Sequence, residues 1–283
     1  MTDESMVRLL FFMGILIPLA LWEHLSPRRA LTTSKAVRWL GNMGIVLLNT
    51  VALRALFPVL AVDIASMAET NGWGILNHYR LPAWSAIVIA VIALDLLMYL
   101  QHILFHSVPA FWRLHMMHHA DLDVDVSTGL RFHTLEIILS MGIKMAAVAA
   151  LGPPVVSVII FEVVLNATSM FNHGNILLPA GFDRVIRLVV VTPDMHRVHH
   201  SVIIRETNSN FGFNFPWWDR LFGTYRPEPA AGHKDMVIGL SQFRNAKRLT
   251  LPWMLALPFA GDPGAYAIDQ RGKEPGSRSR NAS

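Results

Sequence analysis

Five apolar runs, each close to the length that a membrane-spanning helix needs, constrain the fold of this chain more than any other feature. A helix crosses the hydrocarbon core of a bilayer with about 20 residues. The runs cover residues 6–22, 39–62, 83–105, 135–151 and 153–171. The sequence LGPPVV between the last two suits a tight turn. Because 53% of the residues are hydrophobic and only 16% are charged, we predict an all-α integral membrane bundle with four to five membrane helices.

The basic residues predict which side of the membrane each loop occupies. Cytoplasmic loops carry an excess of Lys and Arg. The loop after the second run, residues 63–82, contains only Arg80, whereas the loop after the first run contains Arg28, Arg29, Lys35 and Arg38. With that first loop in the cytoplasm, the N-terminus lies outside, and the third and fifth runs end on the cytoplasmic side.

Histidines cluster at these predicted cytoplasmic ends. The motif H-x-x-H-H occurs twice, in LHMMHH (114–119) and in MHRVHH (195–200). Positions i, i+3 and i+4 share one helical face, so the three imidazoles of each motif can point at one spot. Imidazole suits iron, zinc or copper. We predict a histidine-rich cap with enough ligands for two metal ions, drawn from His102, His106, His115, His118, His119, His133, His173, His196, His199 and His200.

The chain has no cysteine and a formal net charge of +4. The lack of thiols excludes disulfides, zinc–thiolate sites, iron–sulfur clusters and cysteine nucleophiles, so histidine and carboxylate must hold any metal. The positive charge fits contact with anionic lipid, and no nucleic-acid-binding motif is present. The sequence also has no haem, flavin or iron–sulfur motif, so oxygen chemistry would require a separate electron donor.

The histidine series H-x3-H, H-x2-H-H, H-x2-H-H belongs to a larger pattern over about residues 95–226. The stretches that carry this pattern are QHILFHSVPAFWRLHMMHHAD (101–121), STGLRFHTLE (127–136), FNHGN (171–175), VTPDMHRVHHSVIIRETNSNFG (191–212) and WWDRLFGTY (217–225). The chain resembles the fatty acid hydroxylase and sterol desaturase superfamily of membrane di-metal oxygenases, and most of all its bacterial sterol desaturase-like branch.

The resemblance implies a centre of two iron ions that uses O2 to hydroxylate a C–H bond of a bilayer lipid. It implies that the single residues His133 and His173 are ligands too. Glu136 corresponds to a glutamate that is important in ether-cleaving members; it could bind metal, orient a ligand, or only stabilise a helix N-terminus. A ferredoxin or reductase would supply electrons, and the bacterial inner membrane is the expected location. Lipid desaturation and ether-lipid cleavage remain open on the same site.

Acidic residues near the histidines are candidates to accept hydrogen bonds from metal-bound rings. Asp194 lies two residues before His196, and we predict a catalytic supporting role for it; the alternative is a solvated loop carboxylate. Further candidates are Asp95, Asp121, Asp123 and Asp125. Lys144 and Glu162 fall at similar depth in neighbouring runs, so we predict an ion pair that either locks two helices or lines a substrate path.

We predict one membrane-embedded domain over residues 1–263 and a polar, disordered tail over 264–283. Segment 243–260 places basic residues before an apolar patch, which suits either an interfacial segment or packing on the domain.

Two other functions fit the histidines. A divalent-metal transporter would hold its ligands near the bilayer midplane, and a zinc-dependent membrane hydrolase would normally need only three protein ligands.

Overall fold

The computed structural model describes residues 3–79, 81–260 and 262–268, and α-helices dominate it. Over this part of the chain the β-type pairing consists of two isolated bridges. The helices are α1 (Asp3–Leu25), α2 (Lys35–Leu56), α3 (Ala61–Asn71), α4 (Ile75–His78), α5 (Ala83–Ser107), α6 (Pro109–His119), α7 (Thr134–Leu151), α8 (Val155–His173), α9 (Ala180–Ile186), α10 (Pro193–His199), α11 (Ile204–Thr207), α12 (Trp217–Leu221), α13 (Gly232–Asp235) and α14 (Leu251–Ala256). The predicted all-α class is confirmed.

Five segments are long and apolar enough to cross a membrane, which agrees with the predicted number of spans. Large apolar side chains are exposed along them, such as Leu47 on α2 and Leu100 on α5. Lipid tails would cover these side chains in a bilayer. The five segments are Arg8–Leu25, Lys35–His78, Ala83–Ser107, Thr134–Leu151 and Val155–His173.

The second apolar run is not one continuous helix, in contrast to its prediction as a single run over 39–62. Helix α2 ends at Leu56, and Phe57 is extended with φ −116° and ψ 107°. The cause is Pro58, because the residue before a proline avoids the α-helical region. The chain restarts as α3, whose first residue, Ala61, is fully buried.

The predicted tight turn between α7 and α8 is confirmed. Gly152 ends α7 in the left-handed conformation, with φ +61°, and its N–H donates to the carbonyl of Val148 at 2.8 Å. A Cβ at this position would lie 2.1 Å from the carbonyl oxygen of Trp73. Only glycine therefore fits, and Pro154 caps α8 immediately afterwards.

The predicted ion pair between Lys144 on α7 and Glu162 on α8 is also confirmed, with Nζ 3.1 Å from Oε1. The pair also has a third member, which hydropathy and spacing do not predict. Arg8 on α1 donates from Nη1 to the other carboxylate oxygen of Glu162 at 2.7 Å. These contacts join three membrane helices through one carboxylate, which favours the helix-locking role.

A buried arginine on α2 fixes the loop that joins α6 to α7. Arg38 is completely buried; its Nε donates to Asp121 at 2.7 Å, and its Nη1 donates to Asp125. Asp123 instead accepts from the backbone N–H groups of Thr32 and Thr33, each at 2.9 Å. These three carboxylates therefore hold the loop in place, and the prediction that they accept from histidines is wrong.

The packed structure continues beyond residue 263, where the domain was predicted to end. Tyr266 and Ala267 are buried, the Tyr266 ring stacks on Trp112 with centroids 5.9 Å apart, and its hydroxyl donates to the Val202 carbonyl at 2.8 Å. Residues 264–268 are thus part of the core, and the remainder of the predicted tail, 269–283, lies outside the described residues.

Segment 243–260 packs on the domain, as one of its two interpretations predicts. Met254 and Leu257 are almost fully buried in the same core cluster as Trp112. The basic Arg248 stacks over the rings of Phe243 and Trp253, with its guanidinium carbon 5.2 and 5.6 Å from the two ring centroids.

Candidate metal centre

Nine of the ten predicted histidine ligands meet at one end of the bundle, in two buried groups. Within each group the potential ligand atoms all lie within 4.8 Å of one another. Histidine nitrogens bind zinc-like ions at about 2.1 Å, so opposite ligands of one ion lie about 4 Å apart. Each group therefore has the size of a single-ion site. The first group contains His102, His106, His115, His119 and His199; the second contains His118, His173, His196 and His200.

Each H-x-x-H-H motif is divided between the two groups, so the prediction that its three rings point at one spot is wrong. In the α6 motif, His115 and His119 join the first group and the middle histidine joins the second. In the α10 motif the relation is reversed, because His196 and His200 join the second group and the middle histidine joins the first. The two motifs therefore interlock, and each contributes to both sites.

The outer ring nitrogens of six histidines are held by oxygen acceptors. His102 Nδ1 lies 2.8 Å from the carbonyl oxygen of Phe211, and His115 Nδ1 lies 2.7 Å from Oε1 of Glu136. Carbonyl and carboxylate oxygens only accept, so Nδ1 carries the proton and Nε2 keeps its lone pair. The other four contacts are His106 with Asn208 Oδ1, His118 with Arg131 O, His173 with Ser169 O and His199 with Ser209 O.

The inner nitrogens fit a metal ion and are poorly satisfied otherwise. Nε2 of His102 faces Nε2 of His115 at 3.1 Å, and Nε2 of His173 lies 3.1 Å from Nε2 of His118. Since Nδ1 holds the proton in these four rings, two lone pairs face each other in each contact and repel, whereas a cation between them would satisfy both. Among the described residues, Nε2 also lacks any hydrogen-bond partner in His106, His119, His199 and His200.

Burial keeps five histidines of the two motifs neutral, which is the state that binds metal. Burial, reinforced by neighbouring histidines, lowers the pKa of His199 to about 3. The same causes set the pKa well below its ordinary value in four further histidines of the two motifs, which are His118, His119, His196 and His200.

Acid is therefore expected to destabilise the metal-free protein. An unfolded histidine binds a proton below about pH 6.5, whereas His199 resists protonation until about pH 3 in the fold. Across that window the unfolded state binds more protons, so stability falls as the pH falls, by about 1.4 kcal/mol per pH unit for each such histidine. Denaturant unfolding of chelator-treated protein at pH 8 and pH 5.5 measures the difference; equal midpoints would contradict it.

Glu136 is placed to orient His115. It lies in the first turn of α7, and its Oε1 accepts from His115 Nδ1 at 2.7 Å. A carboxylate in this position fixes the ring and raises the basicity of the ligating nitrogen. Its second oxygen, Oε2, is buried and has no partner among the described residues, so it is free to meet a ligand or a proton in the site.

Replacing Glu136 with alanine is expected to lower metal affinity or turnover by about 10- to 100-fold, because outer partners of metal-bound histidines contribute on that scale. Glu136→Gln should lose less metal affinity or turnover, since the amide oxygen can still accept the hydrogen bond from His115. A metal titration of each variant measures the effect. Glu69→Ala, at an exposed position on α3, is the control, and an affinity of Glu136→Ala equal to that control would contradict the role.

His133 does not reach either group. Its Nδ1 accepts from the Leu135 backbone N–H at 3.2 Å, so the side chain caps α7, and its Nε2 lies 3.3 Å from the Leu255 carbonyl. The structure thus gives His133 a structural position instead of the ligand role that the resemblance implies. We expect His133→Ala to keep its full metal content while losing about 1 kcal/mol of stability with the cap.

Asp194 does not contact His196 either. Its carboxylate binds Arg28 at 3.0 Å and also Arg197, and it lines an open cavity of about 580 Å³. Burial acts to raise the pKa of Asp194, but the two arginines lower it below its usual value. Asp194 therefore ties the start of α10 to the loop after α1, and it positions the motif only indirectly.

Most of the residues that accept hydrogen bonds from the histidine rings and that the sequence does not mark lie in one segment, 208–211. Asn208, Ser209 and Phe211 accept from three histidines of the first group. Two of the three acceptors are backbone carbonyls, which any residue possesses, so no residue type marks them. Only Asn208, whose side-chain amide follows a histidine motif in the sequence, could be recognised as a candidate by its residue type.

The chain is similar to one protein family and to several known proteins. Residues 87–224 match the family model described as fatty acid hydroxylase. The chain is 26% identical over 190 residues to the ornithine lipid hydroxylase OlsE of Rhizobium tropici, covering 66% of this chain and 55% of that protein. It is 30% identical over 153 residues to the alkylglycerol monooxygenase of Homo sapiens, covering 54% of this chain and 32% of that protein.

The chain thus spans about half of the first relative and about a third of the second. A very-long-chain aldehyde decarbonylase, GL1-1 of Oryza sativa subsp. indica, is 28% identical over 183 residues, which cover 59% of this chain and 28% of that protein. No solved structure matches the chain. Because the family match includes every histidine of both groups, the chain carries a domain of the fatty acid hydroxylase family.

Proposed function

We propose that this protein is a membrane di-iron oxygenase that hydroxylates a C–H bond of a lipid. The observation that carries the proposal is the pair of adjacent, buried groups of five and four histidines. Such nitrogen-rich sites suit iron, and the relatives include a lipid hydroxylase and a monooxygenase. When bound, two iron ions would supply the redox chemistry that activates O2.

The reaction consumes one O2, two electrons and two protons, and it yields the hydroxylated lipid and one water. A separate donor, such as a ferredoxin or a reductase, supplies the electrons, because the sequence has no electron-carrying cofactor motif. The protein contributes ligand geometry, a dry site and access for the lipid.

Aromatic rings keep the site dry. Phe132 stacks on His118 with centroids 4.5 Å apart, and Trp112 lies 4.9 Å from the His106 ring. Phe211 covers His106 from 5.1 Å. This apolar lining excludes water, which protects a reactive centre from side reactions.

The position of the groups argues against the transporter. His102 lies in the last two turns of α5, and His173 is the last residue of α8. The ligands therefore sit at the end of the bundle, whereas transporters hold their ions near the bilayer midplane. Nine ligands also exceed the three that a catalytic zinc normally takes.

The cytoplasmic side is the proposed location of this end of the bundle. Arg28 and Arg29 precede α2 at the same end, where the backbone N–H of Arg28 donates to Asn175 just after His173. Basic loops favour the cytoplasmic face. A bacterial relative supports the inner membrane of a bacterium as the compartment.

Lipid mass spectrometry of cells that express the protein tests the function. A lipid that gains one oxygen atom from isotopically labelled O2, and only in the presence of the chain with intact histidines, supports hydroxylation. Loss of two hydrogen atoms would indicate desaturation, and an aldehyde released from an alkyl lipid would indicate ether cleavage, as the name of the alkylglycerol monooxygenases suggests. Turnover that needs zinc but no O2 would contradict the proposal.

A further inference from the structure

An apolar patch lies outside the five candidate spans, on α9, α12 and the residues just after them. Its side chains are between 39% and 69% exposed, and they are Phe182, Val185, Leu188, Val189, Trp217, Leu221 and Phe222. The two segments are joined, because the Trp217 indole donates to the Leu188 carbonyl at 2.9 Å and Arg220 donates to the Arg187 carbonyl at 2.8 Å. The patch is therefore one continuous surface.

The patch lies against the membrane-spanning part of α5. The Trp218 indole donates to Asp95 at 2.8 Å, and the Phe222 ring stacks on Tyr99 with centroids 5.5 Å apart. A span needs about 20 residues, and every window of 20 residues within Ala83–Ser107 includes residues 88–102. Asp95 and Tyr99 consequently lie at hydrocarbon depth wherever the membrane boundary falls on α5, and the segment that touches them reaches the same depth.

The backbone N–H groups of the neighbouring loop form hydrogen bonds within the protein. A segment that is removed from water needs such bonds. The N–H groups of Phe211 and Gly212 donate to the buried Asp219 at 2.7 and 2.9 Å. The N–H of Asn214 donates to Asp95 at 3.3 Å. Non-helical backbone is tolerated at membrane depth only when the protein itself satisfies its polar groups.

We infer that this patch is inserted into the lipid leaflet at the histidine end of the bundle, as a membrane contact that does not span. Its occupant is lipid hydrocarbon, because the patch continues the lipid-facing surface of α5, where Leu100 and Leu104 are exposed. Arg184, exposed on α9 between Phe182 and Val185, is placed to meet anionic headgroups at the rim.

The inserted segment is also tied to the metal centre by a short series of contacts. Phe222 stacks on Tyr99, the Tyr99 ring lies 6.5 Å from Phe211, and the Phe211 carbonyl holds His102. Lipid at the patch would thus be separated from a ligand of the first group by only three side chains.

Site-directed spin labelling tests the insertion directly, since the chain has no cysteine of its own. Full-length Leu221→Cys is labelled and placed in vesicles of phosphatidylcholine and phosphatidylglycerol. Collision with O2, which concentrates in lipid, is compared with collision with a water-soluble nickel chelate. Leu221 is 69% exposed, so its replacement removes little packing, and Val185→Cys provides a second position on the same patch.

Two reference positions calibrate the measurement. Leu100→Cys lies on the lipid face of α5, and Asp235→Cys lies at an exposed, charged position on α13. We expect the labels at residues 221 and 185 to match the ratio of O2 to nickel collisions at residue 100. A ratio equal to that at residue 235 would overturn the inference. Shielding from both reagents with spin–spin broadening would indicate a second copy of the chain and would overturn it as well.

Discussion

Replacing His196 and His200 together with alanine is expected to remove one metal ion and to abolish turnover. The second group would keep only His118 and His173, two nitrogen ligands, whereas the first group keeps all five. Two neutral ligands hold a divalent ion far more weakly than four. The iron content should therefore fall from about two ions to about one ion per chain. Elemental analysis of the purified variant, together with the lipid assay, measures both effects.

The matched control replaces two histidines that lie outside the groups. His24 and His78 are exposed, so His24→Ala with His78→Ala should keep both ions and wild-type turnover. If the variant of α10 also retained both ions and full turnover, the second group would not be a metal site.

Replacing Arg38 with methionine is expected to have the largest effect on folding. The guanidinium is completely buried between Asp121 and Asp125, with no exposed side-chain surface on any of the three. Burial alone acts to raise the pKa of Asp121, but Arg38 and Arg131 beside it lower that pKa below its usual value. Without Arg38 these carboxylates would be buried charges with inadequate compensation, and breaking a buried pair costs about 3–5 kcal/mol.

Unfolding of the Arg38→Met variant in mixed detergent micelles measures this loss of stability. Arg205→Met, at an exposed position on α11, is the control and should change stability by no more than about 0.5 kcal/mol. Adding Asp121→Asn and Asp125→Asn to Arg38→Met should restore part of the loss, because it removes the unpaired charges. Equal stability of Arg38→Met and Arg205→Met would refute the role of Arg38 in holding this loop.

The membrane helices were predictable because their signal is local. Length and hydropathy suffice to identify a span, and Gly152 with Pro154 marks the turn between the last two. The break after Leu56 was missed even though Pro58 marks it, because hydropathy continues through the break and hides the change in backbone.

The division of the histidine motifs was not predictable from helical periodicity alone. In a helix, residues i and i+4 differ by about 40° around the axis, whereas i+3 and i+4 differ by about 100°. His115 and His119 therefore stay together, while His118 turns towards a different group. Which group it joins depends on where α8 and α10 lie, and that is decided by tertiary packing.

The supporting residues were the hardest part to foresee. Asp194 is close to His196 in sequence, but Arg28 and Arg197 offer its half-buried carboxylate a stronger electrostatic partner than a neutral imidazole does. The catalytic role of Glu136 stays a prediction, and its contact with His115 joins residues from different helices. The acceptors at Ser209 and Phe211 are carbonyls, which carry no signature in the sequence.

Anomalous X-ray diffraction from iron-loaded protein tests the central claim most directly. We predict two iron peaks per chain, one bonded to nitrogens of the first group and one bonded to nitrogens of the second. His133 should remain unbound at the start of α7. A single peak, no peak, or iron bound away from the nine histidines would contradict the account.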